Sequence, residues 1–241
     1  MFAKGGKQNI RSSEFQDVTD AELEQMYKDP NTSKAQKQKI KMEENDMKVT
    51  EKEILIGVLK EAGIRDEYLT QPCSLDVYHS NNWDRFVMHW DEVTKNEMPS
   101  YIDFFFDGFK MIELLKQIIG EYAFDDCYLS CIFPQKYKLK KSDDAICQDI
   151  YSEFQMLMKS LGLKISTNKA IKMKKEEFID WCDRYSFGGF SGIADYFILI
   201  PEKRLIIKAH HHMNYLFYTK DVDLIEDIKE KARKIKEICF C

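Results

Sequence analysis

Apolar residues are scarce over the first 46 positions, where Lys, Gln, Glu, Asp and Asn dominate, and they become periodic only from Met47 onward. The early stretch reads as a polar appendage with two short helices. One opens at Thr19 with Glu22 as its capping-box partner, and the other at Ser33 with Gln36, with the turn Asp29-Pro30-Asn31 between them. After Met47, Thr50 and Glu53 form a third capping box ahead of Ile54, Leu55, Val58 and Leu59 at helical spacing, and Gly63 is a natural stop. Residues 47–241 are expected to form a single domain.

Further along, the pattern predicts a strand over Cys73–His79, an aromatic segment from Trp83 to Trp90, a strand over Tyr101–Phe106 and a helix from Phe109 to Ile119 ended by Gly120. A strand over Cys127–Phe133 follows. Ile146, Ile150, Phe154, Leu157 and Leu161 make one stripe, so Asp143–Leu161 is the longest expected helix, capped by Ser142 and closed by Gly162. A strand over Leu163–Ser166 and a helix over Glu176–Tyr185 lead to the glycine-rich turn Gly188-Gly189-Phe190-Ser191-Gly192. Two β-rich runs, Ile193–Ile200 and Leu205–Tyr218, joined by Pro201-Glu202-Lys203-Arg204, give the strongest hairpin signal. Asp221–Ile238 closes the chain as an amphipathic helix with Ile225, Ile228, Ala232 and Ile235 on one side. Strands and helices do not alternate as βαβ units, so the fold class is α+β with a mainly antiparallel sheet and packed amphipathic helices.

Composition narrows the function. A formal net charge of -5 on a chain that is 32% charged leaves no polybasic block, which argues against nucleic acid as a partner. The polar start and the lack of any apolar run of about 18 residues argue against a membrane partner and for a cytoplasmic protein. Seven cysteines without a Cys-x-x-Cys pair suit a reducing compartment and offer no zinc ribbon.

The candidate chemistry is incomplete wherever it occurs. His210-His211-His212 supplies imidazoles, the commonest transition-metal ligands, but on a single strand His211 would face the core side while His210 and His212 share the opposite face with Lys208, whose charge repels a cation. Two histidines on a polar face and one half-buried, bonded to Asp195 or another acid, is the simpler reading. Gly189-Phe190-Ser191-Gly192 fails the nucleophile-elbow pattern at Ile193, and Gly5-Gly6-Lys7 lacks the spacing of a phosphate loop. The acidic pairs Asp125-Asp126 and Asp143-Asp144 are explained by strand alternation and helix-start chemistry, and Asp103 and Asp107 have no nameable partner base. No catalytic, cofactor or metal residue is assigned. Trp83-Asp84 and Trp90-Asp91-Glu92 place two tryptophans seven residues apart among acids, an arrangement suited to capturing a basic protein, with simple core cover as the competing reading.

The runs Lys4-Gly5-Gly6-Lys7-Gln8-Asn9-Ile10-Arg11, Val18-Thr19-Asp20-Ala21-Glu22-Leu23, Asp29-Pro30-Asn31-Thr32-Ser33 and Lys37-Gln38-Lys39-Ile40-Lys41-Met42-Glu43-Glu44 resemble the C-terminal tail of bacterial polymorphic toxins of the RHS-repeat type. The resemblance covers only residues 1–46. It stops where the family continues into a basic terminus and this chain has Glu44-Asn45-Asp46. In such loci the gene after the toxin usually encodes its immunity protein, a small acidic α+β domain that blocks the toxin by binding it. By that analogy residues 47–241 are expected to be a non-enzymatic immunity protein whose partner is a cognate toxin domain and which needs no cofactor. The competing functions are an intracellular adaptor unconnected with toxins and a metal-dependent hydrolase or nuclease using the His210–His212 region.

Overall fold

The computed structural model describes residues 47–64, 73–81, 83, 101–130, 145–164, 167–193 and 196–241, together with 22, 25, 26 and 28–31 near the N-terminus. The chain divides into two compact units, Met1–Asp46 and Met47–Cys241. In the first, Glu22, Gln25, Met26 and Lys28 are helical, and the turn after them is closed by the Asp29 carboxylate, which accepts from the Asn31 N–H at 2.8 Å. The helix expected at Ser33 lies outside the described residues.

The second unit is built on an eight-stranded sheet of order β1-β4-β3-β5-β6-β7-β2-β8. Its strands are β1 (Lys48–Thr50), β2 (Leu75–His79), β3 (Asp126–Ser130), β4 (Ala170–Lys174), β5 (Phe197–Ile200), β6 (Leu205–His210), β7 (Asn214–Tyr218) and β8 (Ile238–Phe240). Every pairing is antiparallel, as the α+β reading expected. The helices are α1 (Lys52–Glu61), α2 (Tyr101–Glu121), α3 (Ala145–Ser160), α4 (Lys175–Phe190) and α5 (Val222–Arg233).

Strand alternation divides the apolar residues between two faces. Val77, Leu129, Ile171, Ile198, Ile207 and Phe217 join the large core beneath α2, α3, α4 and α5, while Tyr128, Ala170, Phe197, Leu199 and Ile206 meet Leu55 and Leu59 of α1 on the other side. α4 crosses the middle of the sheet over β6, β4 and β3, with α2 and α3 against its flanks. Its Tyr185 hydroxyl accepts from the Ala209 N–H at 3.1 Å and reaches the carbonyls of Ile207 and Tyr196 at 3.1 and 3.2 Å, which ties the helix to the sheet inside the core.

Several expected elements take a different form. Tyr101–Phe106 is not a strand but the first part of α2, because Phe104, Met111, Leu115 and Ile118 continue one helical stripe into the core. The strand after Gly162 begins at Ala170, not Leu163. The capping box at Thr50 does not form, since Thr50 is taken into β1 opposite Ala170 and Glu51 occupies the N-cap without a side-chain bond. Gly63 does stop α1: it adopts φ +76°, and the Ile64 N–H returns to the Leu59 carbonyl at 2.8 Å.

The glycine-rich segment is helical through Phe190, and Gly192 alone adopts a positive φ, of +67°. Gly189 is required by close approach, because a Cβ there would stand 2.5 Å from the Cβ of Ala209 and 2.8 Å from its carbonyl oxygen. Ser191, which fails the nucleophile-elbow pattern in the sequence, donates its hydroxyl to the Phe187 carbonyl at 2.6 Å. The last helix ends at Arg233, and Ile238–Phe240 turns back as β8 beside β2.

Candidate functional site

Among the described residues, a buried polar cluster inside the second unit is centred on Asp107 of α2. Leu75, Val77 and His79 alternate inward along β2, so His79 ends the strand buried. The backbone then turns, and the Asn81 N–H donates to His79 Nδ1 at 3.2 Å while the Asn81 amide donates to Asp107 Oδ2 at 2.6 Å. Trp83 Nε1 donates to the same oxygen at 3.2 Å. With Nδ1 accepting, the imidazole proton belongs on Nε2, which lies 3.3 Å from Asp107 Oδ1 and 3.8 Å from Glu237 Oε2. Lys110 approaches Asp107 at 3.5 Å and pairs closely with Glu237, closing the cluster on its outer side.

An imidazole beside a carboxylate resembles an acid–base pair, but the His79 and Asp107 side chains are 0% and 7% exposed. The cluster holds the end of β2, the turn after it, α2 and the start of β8 together. Burial pulls the His79 pKa down, and the ammonium of Lys110 adds to this, while the carboxylates of Asp107 and Glu237 oppose it. A folded-state pKa below the ordinary 6.5 means that the folded protein binds fewer protons than the unfolded chain below that pH. The stability from this group is therefore complete above pH 6.5 and falls as the pH drops below it. Urea titrations at pH 7.5 and 5.5 should show a decline in the wild type, and His79→Gln should flatten it relative to the wild type.

Of the predicted partner-binding residues, Trp83 is 2% exposed, edge-on to Phe104 at 5.4 Å, and belongs to the core; it presents no surface to a partner. Asp84, Trp90, Asp91 and Glu92 lie outside the described residues. The combination of aromatic and acidic surface occurs instead on α2. Phe106 and Phe109, 65% and 51% exposed, stand one turn apart, with exposed Asp103 and Glu113 on the same helix. Phe109 rests edge-on against Phe187 at 5.3 Å, so the patch is backed by the aromatic core. The sequence carried this signal in Phe104-Phe105-Phe106, which a strand assignment disguised.

The histidine triple is not on one strand. β6 stops at His210, and His211, His212 and Met213 turn the chain into β7, with the Met213 N–H returning to the His210 carbonyl at 3.0 Å. The proposed partner Asp195 lies outside the described residues. Asp143 and Asp144 lie outside the described residues; in the other adjacent pair, although burial pushes Asp126 up, Lys172 and Lys174 at 2.6 and 3.0 Å hold its carboxyl below the usual range.

Comparison with known proteins returns no match: no family model, no curated protein and no solved structure aligns with the chain.

Proposed function

We propose that the protein is a non-enzymatic binding protein, an immunity protein that neutralises a cognate polymorphic toxin by direct contact in the bacterial cytoplasm. The observation that carries this reading is the exposed pair Phe106 and Phe109 on α2, between Asp103 and Glu113. Two phenylalanines side by side in water are unusual on a helix whose other described large apolar side chains are packed, and such patches mark protein interfaces. An acidic rim and a net charge of -5 steer a basic partner toward them. The resemblance of residues 1–46 to toxin tails supplies the class of partner.

Phe106→Asp should fold as the wild type does, because this side chain is mostly in water. In calorimetric titration against the purified toxin domain, it should weaken binding by roughly 30- to 100-fold. Unchanged affinity would place the interface elsewhere. In the competing hydrolase reading, the purified protein would itself cleave its substrate with added metal, whereas the immunity reading expects no turnover.

A further inference from the structure

Turning the chain at His210–Met213 does what a continuous strand could not: it brings all three imidazoles to one place. Their ring centroids are 4.0, 4.2 and 4.5 Å apart, and one ring nitrogen from each lies within 4.8 Å of the others. Nothing in the turn itself calls for histidine. The first two turn positions accept most residues, and the strained position, φ 54° at Met213, is stabilised by complete burial of that side chain.

We propose that His210, His211 and His212 form a binding site for one borderline divalent transition-metal ion of the nickel, copper and zinc class, on the β6–β7 turn. Imidazole nitrogen selects these ions over calcium and magnesium. A tetrahedral ion with metal–nitrogen bonds of about 2.0–2.1 Å needs nitrogens about 3.4 Å apart, so the rings must close by about 1.5 Å. The half-buried His211 and His212 side chains lie on a turn, where rotamer changes supply that movement.

Asn214, the partner of His210 in the β6–β7 register, is buried beside the imidazole and can orient it. The Lys208 ammonium, held over the Phe197 ring 5.1 Å from the centroid, remains an opposing charge near the site. Three protein ligands leave the ion at least one open position, as in an exchangeable site.

The test is calorimetric titration of the untagged full-length chain with zinc and, separately, nickel, beside the variants His211→Gln and His212→Gln. One ion per chain is expected, and each substitution should weaken binding by about tenfold or more. Absence of saturable binding, or binding that both variants leave unchanged, overturns the site. Paramagnetic broadening of histidine ring signals by copper gives a readout on the wild type alone. Broadening confined to His210, His211 and His212 supports the proposal, and broadening that spares them contradicts it. Neither outcome bears on toxin binding, which depends on a different surface.

Discussion

Replacing Asp107 with alanine should lower the unfolding free energy by on the order of 2–3 kcal/mol, with a fall in Tm of roughly 5–10 °C. One carboxylate accepts from Asn81 at 2.6 Å and from Trp83 at 3.2 Å, and also lies 3.3 Å from His79 Nε2. Removing it strands the buried Trp83 Nε1 donor and takes the carboxylate away from the His79 ring, while the exposed Asn81 amide can turn to water; an unsatisfied buried donor costs about 1–3 kcal/mol. The ammonium of Lys110 retains Glu237, so the outer edge of the cluster survives. Asp107→Asn keeps an acceptor oxygen and should cost less than half as much. Urea denaturation of both variants at pH 7.5 checks this. Equal small losses would mean that the buried cluster contributes little.

Gly189→Ala should destabilise the protein by about 2–3 kcal/mol, the opposite sign from the same change at an open helical site, where alanine gains about 1 kcal/mol. The clash decides the sign, because the new methyl would meet both the Cβ and the carbonyl oxygen of Ala209 on β6, at 2.5 and 2.8 Å. Ala209→Gly in the same chain removes only the first of these contacts, so the double variant should recover part of the loss and no more. Thermal unfolding of the single and double variants reads this directly.

The contrast between these residues shows what a sequence reveals and what it conceals. Ile150, Phe154, Leu157 and Leu161 announce α3 because their period survives every neighbour, and Pro201-Glu202-Lys203-Arg204 announces the β5–β6 hairpin because a turn is a local event. The role of Gly189 is invisible, since it arises from contact with a strand twenty residues away, and so the glycines read as a loop. β4 escaped notice although Ile171 and Met173 alternate with Lys172 and Lys174, because lysines on the less covered face of a sheet mimic the polarity of a loop. His79 was legible in principle as the third inward residue after Leu75 and Val77, but its partner Asp107 was hidden by reading the start of α2 as a strand. The histidine triple shows its side-chain chemistry in the sequence but not its geometry. Without Gly, Asn or Asp to mark the turn, only the structure shows that the three rings converge.

The measurement that bears most directly on the protein's role is growth rescue in a sensitive host. A candidate toxin domain of the RHS-repeat type is induced together with the full-length protein, its Phe106→Asp variant, or an empty vector. Rescue by the wild type with co-purification of the toxin, and weaker rescue by the variant, is the expected result. Killing that proceeds equally with and without the folded wild-type protein would contradict immunity to that toxin.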